Sequence, residues 1–461
     1  MEDTGNNGTM KLGTEPMGRL LMRMALPSVV AQLINLLYSI VDRIYIGHIP
    51  EVGPLALTGV GLFAPIVSLS LAFASLVCTG GAPMMAMALG RGDREKALRY
   101  LGSSFSSVLV IGLAFTVILL VFAPELLVLF GASGNTLPFG LTYMRICALG
   151  TVFNMVGVGL NLFISSQGFS MTAMMSTVIG AILNIVLDPI FIYGFGMGVA
   201  GAAAATVISQ AVSAVWILAF LMGRKCTVRL ERRSMMPSWP VLSKCLALGS
   251  SSFIMFSTEG ILSMTFTRSL FEYGADLAVG AMTILTSVNM FLMNVLHGLV
   301  QGGQPILSYN YGAGSRDRVK KGFSLIFVSC MSYAFLFWAA VMMFSRPIAS
   351  IFTPDMELLE YTARAMKVFF PCAFMLGAQM ACQHSFVALG QARKSMFLAL
   401  LRKVILLIPM IIVLPFFFPG REVFAVFLSE PVCDTIAAVA TTITFMFWFI
   451  PEMRKKDGLE S

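Results

Sequence analysis

Long apolar runs separated by short polar connections dominate the chain. Each run has about 20 residues or more, the length that an α-helix needs to cross the hydrocarbon core of a bilayer. We predict twelve such spans, six on each side of a polar stretch. The first six cover roughly 20–46, 55–80, 98–122, 138–163, 170–193 and 198–222. The last six cover roughly 241–270, 277–308, 322–344, 358–384, 395–417 and 423–450.

Composition also indicates a membrane protein and disfavours other classes. Of 461 residues, 57% are apolar and 12% are charged, so a soluble core could not enclose the apolar surface. Residues 1–11 are polar, so no cleaved signal peptide is expected. Eight cysteines lack metal-ligand spacing and are expected to be free thiols. Because no ATP-binding P-loop and no hydrolase motif occurs, we expect neither an enzyme nor a bound cofactor.

The basic residues predict the orientation of the chain in the membrane. They fall in short clusters between the apolar runs, which is typical of cytoplasmic loops rather than of a nucleic-acid-binding face. The side that carries both termini would hold 21 Lys and Arg residues, and the opposite loops only Arg346 and Arg421. We therefore expect a multi-pass protein of the cytoplasmic (plasma) membrane with both termini in the cytoplasm, monomeric and without a nucleic-acid partner.

The two halves of the chain repeat with an offset of 222 residues. For example, Gly81 to Pro83 corresponds to Gly303 to Pro305. Six spans per repeat is an even number, so both copies share one orientation and their pseudo-twofold axis runs along the membrane normal. We predict an all-α protein with two six-helix lobes and a cavity between them. The predicted units are a lobe at 1–222, a basic cytoplasmic linker at 223–240, and a lobe with a cytoplasmic tail at 241–461.

Acids inside the predicted spans are scarce, and their depth groups them. Asp42 lies five residues before Gly47 at the end of span one, and Asp188 lies six residues before Gly194 at the end of span five. Thr206 lies about seven residues into span six, which starts at that same face. At about 1.5 Å per residue, all three fall roughly 7–10 Å below one surface. This common depth suggests a polar layer in the first half.

Asn184 shares a helix face with Asp188, because the two are four residues apart. Pro189 lacks an N–H, so the carbonyl of Ile185 should lose its helical partner on the same turn. A carboxylate, an amide oxygen and a freed carbonyl can seat a small cation or a proton. The alternative is a helix–helix hydrogen bond at a kink. Two carboxylates in a low-dielectric bundle repel, so they should hold H⁺ or Na⁺ between them.

The second half has apolar residues at the positions of the two acids. Shifted by 222 residues, Asp42 meets Met264 and Asp188 meets Met410. A purely structural role would more often recur in both copies, so the asymmetry favours a functional role. An ion bound there from one side could bias which face of the cavity is open.

Other polar residues admit two explanations each. Cavity lining and ordinary helix packing account equally well for four residues: Gln32, Asn35, Tyr38 and Asn161. Glu259 in span seven is either a carboxylate that binds a cation or substrate, or a member of an ion pair. Four charged residues of spans eleven and twelve are expected to pair across helices: Arg402, Lys403, Glu430 and Asp434. Met and Phe side chains that face the cavity would suit flat, lipophilic ligands.

Six stretches together resemble a known family: Ala25 to Pro27, Val41 to Gly47, Asn184 to Pro189, Gly198 to Thr206, Gln301 to Pro305 and Tyr309 to Ala313. The chain is similar over nearly its whole length to multidrug and toxic compound extrusion (MATE) transporters, in particular to the bacterial MepA-like branch. The resemblance implies a V-shaped pair of six-helix lobes. It also implies export of organic, often cationic and lipophilic, drugs by antiport against inward H⁺ or Na⁺.

The resemblance also implies roles for individual residues. In related members a polar cluster of the first lobe binds the coupling ion, a role that falls here on Asp42, Asn184, Asp188 and Thr206. Span seven departs from the family, where a glutamate often follows a proline by about eight residues. Here Gly249 replaces the proline and Glu259 comes ten residues later. A flippase for lipid-linked or other endogenous amphiphiles is the alternative function, and it should have Arg or Lys in its cavity.

Overall fold

The computed structural model describes residues 7–455, and this part of the chain consists of helices joined by short connections, without strands. The ends of the predicted units at 1–6 and 456–461 lie outside the described residues. The helices of the first half are α1 (Asn7–Thr14), α2 (Met17–Gly47), α3 (Gly53–Gly61), α4 (Ala64–Gly90), α5 (Arg94–Val121), α6 (Ala123–Leu129), α7 (Leu137–Ser166), α8 (Ser170–Pro189) and α9 (Val199–Met222).

The second half begins after a linker without α-helix. Its helices are α10 (Trp239–Ser257), α11 (Glu259–Gly312), α12 (Arg316–Met343), α13 (Ser345–Ser350), α14 (Met356–Phe369), α15 (Met375–Ala388), α16 (Ala392–Leu400), α17 (Ile408–Val413) and α18 (Glu422–Arg454). Wider π turns at Ile190–Gly194 and Leu401–Leu407 extend α8 and α16. The predicted all-α class is confirmed.

Ten stretches of the described chain are long and apolar enough to cross a membrane. They differ from the twelve predicted spans at two places. The stretch Trp239–Gly312 contains the two predicted spans seven and eight. They are separated at Ala275, whose φ of 49° interrupts the helix. The predicted span at 358–384 is divided into two helices, α14 and α15. Each has 14 residues, which is too short to cross a membrane alone.

Two separate apolar clusters hold the first half together. One contains the parts of α4, α5, α7 and α9 nearest the linker, together with Cys226 and Cys245. The other contains the opposite ends of α4, α7 and α9, together with Ile46 of α2. Three residues at intermediate positions along α4, α7 and α9 belong to neither cluster: Leu71, Asn154 and Gln210. Polar side chains are therefore concentrated in a layer between two apolar packing regions.

The halves touch along a face that we call the terminal face, where α2 and α10 begin and α4 and α11 end. A Cβ added to Gly302 of α11 would lie 2.4 Å from the Cα of Ala25, and one added to Gly249 of α10 would lie 2.0 Å from the Leu76 carbonyl oxygen. Distances this short leave no room for a side chain. The absence of a Cβ thus lets α11 approach α2, and α10 approach α4, at backbone contact.

The linker at 223–238 is packed against the first half. The Gln167 Oε1 accepts hydrogen bonds from the Val228 N–H at 2.7 Å and from the Cys226 thiol at 3.1 Å. Burial raises the pKa of the Cys226 thiol to about 11, so the thiol keeps its proton and can donate. All eight cysteines are free, as predicted, and Cys372 is the only one that is not fully buried.

Candidate functional site

Four polar residues from three helices of the first half converge between the two apolar clusters. Asn184 of α8 donates from Nδ2 to Asp188 Oδ1 at 3.3 Å and to Thr206 Oγ1 of α9 at 3.4 Å. The Asp188 carboxyl group lies near that of Asp42 on α2. The structure thus brings together the four residues that the depth argument grouped, and we call them the acidic cluster.

The acidic cluster is buried at Asn184 and Asp188, and it is incompletely hydrogen-bonded. Asp188 is 0% exposed and Asn184 is 2% exposed, whereas Asp42 is half-buried. Among the described residues, three of its buried oxygens have no hydrogen-bond partner: Asp42 Oδ1, Asn184 Oδ1 and Asp188 Oδ2. Leaving buried polar oxygens unpaired is unfavourable, and most so for carboxylates. A proton or a small hard cation is the group that this set of oxygens can accept.

The end of α8 supports the position of Asp188. After Pro189 the helix continues as the π turn Ile190–Gly194, and such widened turns are common at functional sites. The Tyr193 hydroxyl donates to the Tyr45 carbonyl at 2.8 Å, which ties this turn to α2 three residues beyond Asp42. The two helices that carry the acids are therefore connected next to them. That the Ile185 carbonyl is freed stays a prediction.

Tyr143 of α7 is a neighbour of the acidic cluster that the sequence did not indicate. It is buried and lies near Thr206 and Asp42. A single tyrosine in an apolar span carries no signal of this kind. Its contact depends on how α7 is rotated against α9, which the spacing of residues within one helix does not specify.

A cavity of about 350 Å³ adjoins the acidic cluster. Asn184 and Thr206 form part of its wall, whereas Asp42 and Asp188 lie behind that wall. The four residues proposed as lining from the sequence all contribute to it: Gln32, Asn35, Tyr38 and Asn161. Such a volume falls in the range of drug-sized binding sites.

This cavity lies largely within the first half, and the cavity predicted between the halves stays a prediction. Among the described residues that line it, Gln301 is the only one from the second half, and its Oε1 accepts a hydrogen bond from Gln32 Nε2 at 2.9 Å. Met174 and Phe153 are the only Met and Phe side chains in the lining, so an aromatic, Met-rich surface is absent from this cavity.

Glu259 lies outside the cavity lining and forms an ion pair instead. Its carboxylate is 2.5 Å from Lys403 Nζ, and its side chain is 64% exposed. The neighbouring Arg402 pairs with Asp434 at 2.7 Å and with Glu430 at 3.6 Å. Both basic residues lie on the π turn Leu401–Leu407. The predicted pairing between spans eleven and twelve is confirmed for Arg402 with Asp434 and Glu430, whereas Lys403 pairs with Glu259 of span seven.

Comparison with known proteins identifies the family. The MatE sequence profile matches residues 27–190 and 251–413, two stretches of nearly equal length in the two halves. The chain belongs to the MATE family. It is therefore a membrane transporter and not an enzyme. The chain is 24% identical over 428 residues to the multidrug export protein MepA of Staphylococcus aureus, covering 92% of this chain and 93% of that protein.

A second relative and two solved structures agree with this assignment. MepA of Staphylococcus haemolyticus is 25% identical over 420 residues, covering 91% of this chain and 92% of that protein, which supports the expected MepA-like branch of the MATE family. A crystal structure of MATE in complex with MaD3S superposes with a TM-score of 0.90 at 22% identity, covering 97% of this chain and 99% of that one. A MOP superfamily transporter from Pyrococcus furiosus, described as having a binding pocket of reverse polarity that suggests a different function, gives the same TM-score, identity and coverage. The MATE fold is confirmed.

Proposed function

We propose that this MATE transporter exports organic compounds, drugs included, by antiport against an inward gradient of H⁺ or Na⁺. The acidic cluster would bind the coupling ion, and the adjoining cavity would bind the cargo. The observation that carries the proposal is that buried, unpartnered oxygens lie directly behind the cavity wall. The related protein of Staphylococcus aureus is named a multidrug export protein, which supports the choice of cargo.

Asn184 and Thr206 provide a physical route for coupling. Both belong to the acidic cluster and to the cavity wall, and Asn184 donates to Asp188 and to Thr206. A proton or cation bound to the cluster changes the charge at Asp188, and so the strength of the hydrogen bond that Asn184 donates to it. The wall that the cargo contacts then differs between the ion-bound and ion-free states, which is the requirement for energetic coupling between two ligands.

The contact between the halves supports a direction of opening. The backbone contacts at Gly249 and Gly302 close the terminal face. Basic residues concentrate at that face, so the positive-inside rule favours a cytoplasmic position for it and for both termini. We infer that the structure is in an outward-facing state, in which the coupling ion can enter from outside. Separation of the two lobes at the terminal face would then admit cargo from the cytoplasm.

Transport in proteoliposomes with separately imposed pH and sodium gradients tests this proposal. We expect one of the two gradients, with the membrane potential clamped, to drive accumulation of a labelled drug against its own gradient. Transport that follows neither gradient would contradict ion coupling. Equilibration of the drug without accumulation would also contradict it, because a coupled antiporter must build a gradient.

A flippase for lipid-linked amphiphiles is the second candidate for this fold. Such a cargo carries phosphate groups, which Arg and Lys side chains recognise. The described residues that line the cavity include neither Arg nor Lys. This uncharged lining favours drug export over lipid flipping.

A further inference from the structure

The linker that joins the halves carries a group of positive charges at the terminal face. Five of its residues are basic, and we call them the linker cluster: Arg224, Lys225, Arg229, Arg232 and Arg233. None of the five forms an ion pair with another described residue. The two acids at the start of α5 are already paired, Asp93 with Lys96 and Glu95 with Arg99. Within this part of the chain the linker cluster therefore lacks a counter-charge.

The packing of the linker turns these cations outward. Cys226, Val228 and Leu230 alternate along the chain, and all three are buried in the apolar cluster of the first half. The Leu230 N–H donates to the Leu221 carbonyl at 2.9 Å, which fixes this stretch to the end of α9. Side chains between the buried ones point to the opposite side of an extended chain. Apart from the half-buried Arg229, the members of the linker cluster are exposed.

Arg229 has hydrogen-bonding capacity that the protein does not use. Its Nε is buried without a partner among the described residues, and its Nη2 donates only to the Arg224 carbonyl, at 3.4 Å. Arg94 at the start of α5 lies near Cys226, as Arg229 does. Two guanidinium groups thus lie in one neighbourhood, and neither forms an ion pair with a described residue. A phosphate group matches a guanidinium in charge and can accept two of its hydrogen bonds.

The basic connection at 313–321 in the second half differs, because most of its cations have partners within the protein. Arg318 donates to the Asn310 side chain at 2.9 Å and to the Glu15 carbonyl at 2.8 Å. Lys320 pairs with Asp317 at 3.4 Å. A concentration of unpaired charge is therefore a property of the linker and not of every basic connection at the terminal face.

The second part of the linker lies against the side of α5. The Ser106 hydroxyl donates to the Met235 carbonyl, and the Ser238 N–H donates to the Ser103 hydroxyl at 3.4 Å. The predicted span of α5 starts near residue 98, so these two serines lie roughly 8–12 Å inside it, measured along the helix. Residues 235–238 therefore lie at the depth where lipid headgroups meet the acyl chains.

Two large apolar side chains are exposed in this second part. Met236 is 83% exposed, and Trp239 at the start of α10 is 71% exposed. Exposure to water is unfavourable for both side chains, whereas tryptophan is enriched at membrane interfaces. Cations that directly precede an interfacial apolar segment are typical of surfaces that bind anionic lipids.

We propose that the linker binds anionic phospholipids of the leaflet at the terminal face. Arg229, Arg232 and Arg233 contact the phosphate groups, and Met236 and Trp239 contact the upper part of the acyl chains. The lipid supplies the counter-charge that the described residues do not provide. This surface lies outside the cavity and the acidic cluster, so its lipid binding depends neither on the coupling ion nor on the cargo.

Fluorescence quenching at Trp239 tests the inference. The full-length protein with Trp216→Phe, Trp338→Phe and Trp448→Phe keeps Trp239 as its only tryptophan. It is reconstituted into phosphatidylcholine vesicles that contain a fixed minor fraction of dibrominated phosphatidylglycerol or of dibrominated phosphatidylcholine, whose bromine atoms quench tryptophan on contact. We expect phosphatidylglycerol to associate about fivefold more strongly than phosphatidylcholine, the effect of one arginine close to a phosphate group.

Arg232→Gln combined with Arg233→Gln should remove this preference and leave quenching by phosphatidylcholine intact. The matched control, Lys320→Gln combined with Lys321→Gln, removes two positive charges from the same face and should keep the preference. Equal quenching by the two lipids before these changes, or quenching by neither, overturns the inference. It is also overturned if the arginine variant keeps the preference or if the lysine variant loses it.

Native mass spectrometry provides a measurement on the chain with all its tryptophans. The detergent-purified protein is mixed with equimolar phosphatidylglycerol and phosphatidylcholine, and the lipids that stay bound are counted. We expect phosphatidylglycerol to be retained in excess, and Arg232→Gln combined with Arg233→Gln to abolish the excess. Equal retention of the two lipids by the wild type overturns the inference.

Discussion

Asp188 combines complete burial with an incomplete set of partners. One carboxylate oxygen accepts a hydrogen bond from Asn184 and the other has no partner among the described residues. A carboxylate in this setting either takes up a proton or recruits a cation, because the ionised form is unfavourable in a dry interior. This property makes Asp188 the most sensitive test of where the coupling ion binds.

Asp188→Asn should reduce gradient-driven export to background without reducing expression. The amide matches the carboxyl group in size and can still bond to Asn184, but it cannot bind a proton or compensate a cation. Export into everted vesicles with an imposed gradient measures the effect. Asp276→Asn, at an exposed aspartate far along the chain on α11, is the control and should export normally. Normal export by Asp188→Asn would place the coupling site elsewhere.

Glu259→Gln should impair export less than Asp42→Asn. Glu259 lies outside the cavity lining and its side chain is exposed in its pair with Lys403, whereas Asp42 lies near the buried Asp188. Initial export rates of the two variants, normalised to the amount of protein in the membrane, decide the ranking. A larger loss for Glu259→Gln would move the coupling site to the second half.

Helical periodicity and depth predicted the acidic cluster, but not all of its surroundings. Asn184 and Asp188 share a face by spacing alone, and Asp42 and Thr206 join them because their distances from the helix ends agree. Gln301 and Tyr143 were missed for a physical reason. Their contacts depend on the rotation of one helix against another, which is decided by packing and leaves no pattern in either segment.

At the scale of elements, both charged regions lie beside π turns. Pro189 predicts the first π turn, because a proline has no N–H and must disturb the regular helix. The second, at Leu401–Leu407, contains no proline, and the sequence predicted a regular span there. Arg402 and Lys403 project from this turn toward acids on α18 and at the start of α11. The second π turn therefore coincides with ion pairs to other helices and not with a helix-breaking residue in its own sequence.

Arg402→Met should destabilise the second half strongly. It leaves Asp434 and Glu430 buried without their cation, a change that typically costs about 3–5 kcal/mol. The thermal unfolding midpoint of the detergent-purified protein should fall. Lys320→Met is the control, because its pair with Asp317 is exposed and should contribute little. An unchanged midpoint for Arg402→Met would show that the pair does not stabilise the fold.

At the scale of the whole molecule, the 222-residue repeat predicted two halves but not which end of the molecule is closed. The sequence is the same in every state of a transporter, so only the packing reveals the state. Here α2 meets α11 and α4 meets α10 at the terminal face. At the other end, the apolar cluster around Ile46 contains residues of the first half only. The halves thus meet backbone to backbone toward the terminal face, while at the other end a Cβ added to Gly260 of α11 would lie 3.9 Å from the Pro65 Cβ of α4, an ordinary contact distance.

Gln32→Cys combined with Gln301→Cys in a cysteine-free background tests whether the halves must separate. The two native amides meet at 2.9 Å across the contact between the halves, so a short bis-methanethiosulfonate reagent should bridge the introduced thiols. We expect the cross-link to reduce export to background and a reductant to restore it, because a bridge between α2 and α11 prevents opening of the terminal face. Each single-cysteine variant, treated identically, should show no change on addition of reagent or reductant. Undiminished export after complete cross-linking would show that α2 and α11 stay together throughout the transport cycle.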